Sequence, residues 1–359
     1  MRYIFSFLLL MLVAFSSAAA EKTDKQAFKK AYEAYQVAID AGAKADAVKY
    51  AEEAFLLGKK IYGEAHKNTA QLSLNYGRLL KGKEAQKVLK KSLSIHEKIY
   101  GKDAFELVDP LMDLASSYAQ YGKSEKPVRY YRQALALVEK YDSPTGILAA
   151  TLNLEIGQVI LSESQSRRSL RYLKRAKEVF MALEGDQAEV GLAKTKFWLG
   201  KYRLATQSYK KATTELQGSL ALLSKYAPNA SITLSNHAFL IEAYEKQGLR
   251  DEATKHCQAI GAAKPHNPNQ DYMPVYKLHP TYPEAANRAG KEGYVVVSVT
   301  VNSEGFVVNE KVLENGGSSA FEKAALTAVK KFRYAPRYVD GKPVDTAEVK
   351  YKFAFTIDH

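Results

Sequence analysis

Cysteine and proline are scarce in this chain, which has one cysteine and 11 prolines in 359 residues. Because Cys257 has no second cysteine to pair with, no intrachain disulfide can form, and the fold must be stabilised by packing. We interpret Cys257 as a core residue, since an unpaired cysteine is usually buried and inert. So few prolines also cannot form a long, extended spacer.

Catalytic motifs are also missing. The sequence contains no GxSxG, HExxH, P-loop or GxGxxG motif, and its seven histidines lack the spacing of metal ligands. Ser208 and Lys211 match a short nucleophile motif, S-x-x-K, but they fall within a helical repeat in which both residues have an ordinary explanation. We therefore predict a protein that is not an enzyme and that uses no metal and no cofactor.

After residue 20, no segment is apolar enough to span a bilayer. The first twenty residues differ: Arg2 is followed by an apolar stretch over 4–15 and by small residues over 16–20. This order is typical of a cleavable secretory signal, and the apolar stretch is short beside the ~20 residues of a membrane-spanning helix. We predict a signal peptide over 1–20 and a periplasmic mature protein. The alternative is an uncleaved anchor that holds the chain at the inner membrane, facing the periplasm.

Acidic residues are outnumbered, and the net charge is +13. Most of the excess lies before residue 272, with 39 basic and 29 acidic residues over 21–271, against 12 and 10 over 272–359. A basic face usually indicates nucleic acid, but export excludes that partner. The remaining anionic partners are peptidoglycan carboxylates, lipopolysaccharide phosphates or an acidic protein surface. A solvated helix exterior that is rich in lysine is an equally good explanation.

From Asp24 to about Ile260, apolar residues recur at steps of three and four, which predicts amphipathic helices. A local pattern also recurs: glycine and, five residues on, alanine or a similar residue, then an aromatic or apolar residue four on, then a small residue three later. It is clearest in Gly200 and Ala205 followed by Tyr209 and Ala212. Similar frames begin at Gly122 and Gly248, and weaker copies end at Ala54, Ser92 and Ala176. The last positions of the copies, at 54, 92, 134, 176, 212 and 260, are separated by 38, 42, 42, 36 and 48 residues. A period of this size indicates stacked supersecondary units.

At these residues the pattern resembles the tetratricopeptide (TPR) repeat, in which glycine makes the turn between two antiparallel helices. The long spacing, and the phrases Ile61-Tyr62-Gly63 and Ile99-Tyr100-Gly101 that close second helices, resemble the kinesin-light-chain variety. We predict a TPR-like α-solenoid over 21–262 whose concave surface binds a protein or peptide. The alternative is that the helices only hold the next domain at a distance. Asn75, Asn153 and Asn236 lie on predicted first helices, where they could contact a peptide backbone or simply be surface residues.

A linker is predicted over 263–274, where Pro265, Pro268 and Pro274 interrupt the helical pattern.

After the linker, the repeat of buried side chains changes from the helical period to a period of two, which is typical of strands. Valines alternate from Val295 to Val301, 302–305 forms a turn, and 306–312 returns as a second strand. Ser319 and Glu322 form a predicted capping box at the start of a helix. The last strand alternates from Val349 to Ile357. The predicted domain over 275–359 is therefore a small α+β unit of ββαβ order with a three-stranded antiparallel sheet.

Several separated motifs in this region resemble the TonB C-terminal family. Pro280-Thr281-Tyr282-Pro283 is followed by Glu292-Gly293 and a valine-rich strand, and Phe332-Arg333-Tyr334-Ala335-Pro336 is followed by Gly341-Lys342-Pro343-Val344. Phe332 stands where the family often has tryptophan. The resemblance implies a structural role for the family-motif residues, which are Pro280, Tyr282, Pro283, Gly293, Phe332, Tyr334 and Pro336.

A small sheet leaves an edge that can accept an extended peptide. In the TonB family, the final strand recruits a segment of an outer-membrane transporter in this way. The resemblance therefore implies a partner-binding edge strand comprising Val349, Lys350, Tyr351, Lys352, Phe353, Ala354 and Phe355. The lysines could equally serve only to protect the edge from aggregation.

Two functions remain open from the sequence. One is a periplasmic adaptor of Gram-negative cells that uses the repeats for one partner and the TonB-like domain for an envelope or outer-membrane transporter partner. The other is a membrane-anchored TonB-type energy transducer, which would require an uncleaved N-terminal helix. Residues 1–20 contain no histidine or acid for a motor contact, and a proline-rich spacer is missing, so we favour the adaptor.

Overall fold

The computed structural model describes residues 4–120, 125–163, 167–263 and 272–357, with side chains from residue 22 onward. The chain forms two compact units, Met1–Leu183 and Glu184–His359. The described part of the first unit contains only helices and their connections. The second contains four long helices followed by an α+β domain. The predicted helical array and the predicted three-stranded antiparallel sheet are therefore both present.

The twelve long helices pair in chain order into six antiparallel hairpins among the described residues. Four hairpins lie in the first unit: α1 (Ile4–Asp40) with α2 (Lys44–Tyr62), α3 (Lys67–Leu79) with α4 (Gly82–Tyr100), α5 (Val108–Ala119) with α6 (Lys126–Tyr141), and α7 (Ile147–Glu163) with α8 (Arg167–Ala182). Two lie in the second unit: α9 (Asp186–Ala205) with α10 (Tyr209–Tyr226), and α11 (Ser231–Glu245) with α12 (Arg250–Ala263). A 3-10 turn, Phe105–Leu107, precedes α5.

Each second helix buries three residues at the same spacing, a step of four residues followed by a step of three. Five of the six final positions agree with the predicted repeat frames. The residues are Ala47, Ala51 and Ala54; Ala85, Leu89 and Ser92; Pro127, Tyr131 and Ala134; Ser169, Leu173 and Ala176; Ala212, Leu216 and Ser219; and Ala253, Cys257 and Ile260.

The fifth predicted frame is wrong by seven residues. Its final position is Ser219 rather than Ala212, and the separations become 38, 42, 42, 43 and 41 residues. Ser219 donates a hydrogen bond to the carbonyl of Ala193 on α9 at 2.7 Å, and Ser92 donates to Ala70 on α3 at 3.3 Å. Each serine thus bonds its second helix to the first helix of the same hairpin, which supports the corrected frame.

Gly200 does not make a turn, contrary to the predicted frame. It lies inside α9, where an added Cβ would come within 2.5 Å of the Leu216 side chain, so glycine is required for close helix packing. The turn itself is 206–208, with Gln207 at a φ of 54°. Gly248, in contrast, does make its predicted turn, with a φ of 74°. Gly122 lies outside the described residues.

In the C-terminal domain, β1 (Gly293–Val301) is the central strand of the sheet. It pairs antiparallel with β2 (Val307–Asn315) on one side and with β5 (Thr346–Phe355) on the other. Both β2 and β5 are therefore edge strands. A short helix, α13 (Glu284–Arg288), precedes β1, and a separate hairpin of β3 (Arg337–Val339) and β4 (Lys342–Val344) precedes β5. These three short elements are absent from the predicted order.

Helix α14 (Ser319–Val329) covers one face of this sheet. Its N-cap is Ser318, whose hydroxyl accepts a hydrogen bond from the amide of Ala320 at 3.4 Å, so the predicted capping box at Ser319 is one residue too late. The Glu322 carboxylate instead accepts a hydrogen bond from the side chain of Asn315 at 2.6 Å. That contact ties the helix to the end of β2.

The domain core lies between α14 and the sheet. The alternate valines of β1 are buried as the period of two predicted, and Phe321 stacks on Phe355 with ring centroids 4.2 Å apart. The other buried members of this core are Ala286, Val307, Ala325, Ala328, Val329, Phe332, Tyr334, Val349 and Phe353. Within the described residues, no helix has both the length and the apolar character that crossing a membrane requires.

Candidate functional site

The side chains of β5 alternate between the core and solvent. Val349, Phe353 and Phe355 are buried and Tyr351 is half-buried, whereas Lys350, Lys352 and Ala354 are exposed. The Tyr351 ring packs edge-on against Phe332, with centroids 5.1 Å apart. One face of the strand therefore completes the core, and the other carries two lysines.

The backbone amides and carbonyls of β5 also alternate in direction, pointing in turn toward β1 and toward the outer edge of the sheet. Gly316 donates a hydrogen bond to the carbonyl of Tyr294 at 2.9 Å, so the polar backbone groups of Tyr294 point toward β2. Those of Val295 must then point toward β5, where Val295 pairs with Phe353. By the same alternation, residues 349, 351, 353 and 355 bond to β1, whereas Lys350, Lys352 and Ala354 direct their amides and carbonyls outward.

The outer border of β5 is regular over seven consecutive pairs, from Gly293 with Phe355 to Val299 with Val349. Its single bulge lies before this segment, where Glu348 has a φ of 58°. The border of β2 is interrupted by two register shifts, one of them at Asn309, which has a φ of 53°. Since bulges disrupt strand pairing, β5 offers the better template for an added strand.

Lys350 and Lys352 place positive charge on the exposed face of the sheet at β5. The Lys352 ammonium is 4.0 Å from the centroid of the Tyr294 ring on β1, an arrangement that holds the charge close to the sheet. Glu348 on the bulge is the acidic residue that the strand itself contributes. An added strand would therefore run beside Lys350 and Lys352.

The first family motif forms one wall of a groove. Pro280, Tyr282 and Pro283 face the outer side of α14 across a space of about 510 Å³. The Tyr282 ring packs edge-on against Phe321 and Phe355, and its hydroxyl donates to the carbonyl of Lys291 at 2.6 Å. Pro283 precedes α13 as its N-cap residue. The motif thus positions the chain that leads into β1.

The remaining motif residues lie in the core or at close backbone contacts. Phe332 and Tyr334 are fully buried. An added Cβ on Gly293 would come within 2.6 Å of the Gly316 carbonyl, and the carbonyl of Pro336 faces Gly261 of α12. The Phe332 ring packs against Tyr351 and Phe353 in this core.

Arg333 is the residue of this motif whose importance the sequence did not reveal. Its side chain is 0% exposed, and its guanidinium donates to the Glu245 carboxylate at 2.5 Å and to the Thr254 hydroxyl at 2.6 Å. It also donates to the carbonyl of Glu304 at 3.1 Å and lies 3.7 Å from the centroid of the Phe306 ring. Glu245 and Thr254 belong to α11 and α12, so Arg333 joins the last hairpin to the C-terminal domain.

The three predicted asparagines are not equivalent. Asn75 is partly exposed on α3, where its side-chain oxygen accepts a hydrogen bond from Gln71 at 2.9 Å. Asn153 and Asn236 are completely buried in α7 and α11. Neither buried asparagine can contact a peptide on the helix surface, and only Asn75 retains that possibility.

Ser208 and Lys211 lie at the start of α10. Ser208 is the residue before α10, and its hydroxyl donates to the carbonyl of Thr206 at 3.4 Å. In the described parts of the chain, no three histidine, cysteine or acidic residues cluster as metal ligands would. Burial raises the pKa of the Cys257 thiol to about 11, which disfavours the nucleophilic thiolate.

Comparison with known families matches the C-terminal region. Residues 278–357 match the model of the Gram-negative bacterial TonB protein C-terminal family. Protein TonB of Vibrio cholerae is 31% identical over 68 residues, which are 19% of this chain and 28% of that protein. Protein TonB of Pseudomonas aeruginosa is 34% identical over 85 residues, which are 24% of this chain and 25% of that protein. The chain thus spans about a quarter of the length of these relatives.

Comparison with solved structures gives matches that cover more than half of this chain at low sequence identity. The crystal structure of BtubC (BKLC) from P. vanneervenii has a TM-score of 0.46 and 16% identity, over 72% of this chain and 99% of that chain. A putative kinesin light chain of Podosopora anserina with TPR-like repeats has a TM-score of 0.45 and 16% identity, over 56% of this chain and 95% of that chain.

Proposed function

We propose that this chain, whose residues 278–357 match the TonB C-terminal family, is an exported adaptor of the cell envelope. In this proposal, the C-terminal domain binds an extended segment of an envelope partner along β5, and the helical hairpins bind a second protein or peptide. An outer-membrane transporter is the first candidate for the β5 partner, since that is the partner which the family resemblance implies. The chain itself carries out no reaction.

The observation that carries this proposal is the regular free border of β5. Three alternate outward positions, Lys350, Lys352 and Ala354, have no strand partner for their backbone groups among the described residues, and the adjoining face carries two lysines. Backbone pairing supplies affinity in strand addition, and side chains supply preference. An incoming strand with acidic residues beside Lys350 and Lys352 would fit both features.

The helical hairpins are proposed as the second binding element because a short row of polar side chains, Asn75, Arg78 and Asp113, spans the neighbouring first helices α3 and α5. On α3, Asn75 lies one turn before Arg78, whose guanidinium donates to Asp113 of α5 at 2.6 Å. Such rows suit recognition of an extended peptide. The basic excess over 21–271 also makes anionic envelope polymers, peptidoglycan among them, candidate contacts.

Export through removal of residues 1–20 belongs to the same proposal. Mass measurement of the chain purified from the envelope fraction is its test. A mature chain that begins at Glu21 supports a released periplasmic adaptor. A chain that retains Met1 to Ala20 and sediments with the inner membrane supports the anchored energy transducer instead.

The test of edge pairing compares two substitutions at one position in the full chain. Lys352→Pro removes an outward amide, whereas Lys352→Ala removes only the side chain and its contact with Tyr294. Proline is tolerated on an edge strand where the amide faces solvent. Each tagged variant is incubated with detergent-solubilised outer membranes from the cells that produce the protein, and retained proteins are identified by mass spectrometry.

If edge pairing is the mechanism, Lys352→Pro loses the partner that the wild-type chain retains, by at least tenfold, and Lys352→Ala retains most of it. Equal retention by Lys352→Pro and the wild-type chain contradicts strand addition at β5. Loss by both variants to the same extent shows that the lysine side chain, rather than the amide, makes the contact.

A further inference from the structure

The outer face of α12 is covered. In a helical array that ended at α12, this face would be exposed to solvent. Cys257 and Gly261 on this face are fully or almost fully buried, and both meet the C-terminal domain. An added Cβ on Gly305 would lie 3.3 Å from the Cys257 Cβ, and one on Gly261 would lie 2.3 Å from the Pro336 carbonyl. Glycine is therefore needed at 261, where the backbone of the C-terminal domain meets α12, whereas Gly305 is required by its φ of 82° and by the Tyr334 carbonyl of its own domain.

Arg333 joins the two parts chemically. Its backbone bonds within the C-terminal domain, with its amide donating to the carbonyl of Tyr276 at 2.9 Å. Its guanidinium reaches out of the domain to Glu245 and Thr254 on the last hairpin. A fully buried guanidinium that loses its carboxylate partner is strongly unfavourable. The domain therefore cannot leave the hairpin without exposing this charge or leaving it unpaired.

Helical arrays need a terminal unit that covers the last apolar face. We infer that the outer face of α12 is an intramolecular docking surface whose partner is this chain's own C-terminal domain, and that the domain serves as the cap of the array. The last hairpin and the sheet then open and close as one cooperative unit, with Arg333 and Glu245 as the positioning pair. This inference stands whether or not β5 binds a partner.

Cys257 provides a reporter for this inference, because it is the sole cysteine and lies in the docked surface. The rate at which a thiol reagent such as dithionitrobenzoate modifies it in the native full chain measures how often that surface opens. Amide hydrogen exchange in the buried strand β1, followed by mass spectrometry, measures how often the sheet opens. A cooperative unit shows the same change in both rates.

The main variant is Glu245→Ala, which leaves the Arg333 guanidinium without its carboxylate and keeps a good helix former in α11. Its matched control is Glu189→Ala, which removes the exposed ion pair with Lys225 at 2.8 Å elsewhere in the same unit. Thr254→Val is a milder second variant, since it removes one acceptor of Arg333 without removing the ion pair.

We expect Glu245→Ala to raise both the Cys257 modification rate and β1 exchange at least tenfold, Thr254→Val to raise both by a smaller factor, and Glu189→Ala to change neither by more than twofold. If Glu245→Ala loses helical circular dichroism, the inference is judged from the Cys257 modification rate and the β1 exchange rate of Thr254→Val. Faster Cys257 modification with unchanged β1 exchange means that α12 frays alone, and it overturns the inference. Wild-type rates in both Arg333-contact variants overturn it as well.

Discussion

Two histidines face each other within the last helical hairpin. The Nδ1 atoms of His237 on α11 and His256 on α12 are 2.8 Å apart, and the Tyr244 ring stacks on His256. Only one proton fits between two nitrogens at this distance, so the pair is favourable when both rings are neutral. Burial lowers the pKa of His237, and burial together with the neighbouring His237 lowers that of His256 to about 4.

The first prediction concerns stability in acid. Since the folded-state pKa of His256 is below its ordinary value of 6.5, the unfolded chain binds more protons, and stability falls as the pH drops from 6.5 toward about 4. Between pH 7 and pH 5 this group should reduce the free energy of unfolding by about 1 to 2 kcal/mol.

Urea unfolding of the wild-type chain and of His256→Gln at both pH values measures the contribution of His256. That contribution is the difference between the two chains in how the free energy of unfolding changes with pH. The subtraction is needed because Glu242, whose pKa is raised by burial, contributes to the pH dependence with the opposite sign. The same pH dependence in both chains would contradict the assignment. Glu252 and Lys255, which also face His256, are unchanged in the comparison.

Glycine packing gives the second prediction. Gly200→Ala should destabilise the chain by about 1 to 3 kcal/mol, because its Cβ would overlap Leu216 at 2.5 Å. Gly218→Ala in α10 is the control, since its Cβ meets only the flexible end of Lys196, and it should stabilise by about 0.5 to 1 kcal/mol. Opposite shifts of the urea midpoint support this account, and stabilisation by both would refute the close contact at Gly200.

At the scale of elements, β5 has two classes of position that proline distinguishes. The third prediction is that Tyr351→Pro unfolds the C-terminal domain, because the Tyr351 amide bonds to β1, whereas Lys352→Pro leaves the fold intact. Near-ultraviolet circular dichroism during thermal unfolding measures both. Loss of structure in Lys352→Pro with a folded Tyr351→Pro would reverse the backbone assignment.

The alternation of the strands could be predicted because burial on one face of a sheet imposes a period of two on the sequence. Valines 295 to 301 and the aromatic residues of β5 carried that signal. The bulges at Asn309 and Glu348 could not be predicted, since neither residue is glycine and no local pattern requires their positive φ. They were found only from the register of the paired strands.

The helical repeats were predicted where glycine and small residues marked both the turn and the packing. The fifth frame is wrong because its turn contains no glycine, whereas Gly200, seven residues earlier, is a glycine that packs against Leu216 inside α9. Arg333 was beyond sequence reasoning for a different reason. Its partner Glu245 is 88 residues away, and an ion pair at that separation leaves no local trace.

At the scale of the whole molecule, the chain combines an all-helical unit, Met1–Leu183, with a second unit that joins two hairpins to the TonB-like domain. The C-terminal domain should therefore be studied within the full chain, because an isolated 272–359 segment would leave the Arg333 guanidinium without Glu245. The free border of β5 and the docked face at α12 involve different elements of the domain, so partner binding and capping are compatible.

The central claim is that β5 binds its partner by backbone pairing. It is tested most directly by amide hydrogen exchange of the full chain, with and without the envelope partner retained by the wild-type chain. The account predicts added protection at Lys350, Lys352 and Ala354 on partner binding, with little change in β2. Protection that appears only in the helical hairpins, with exchange in β5 unchanged, would contradict it.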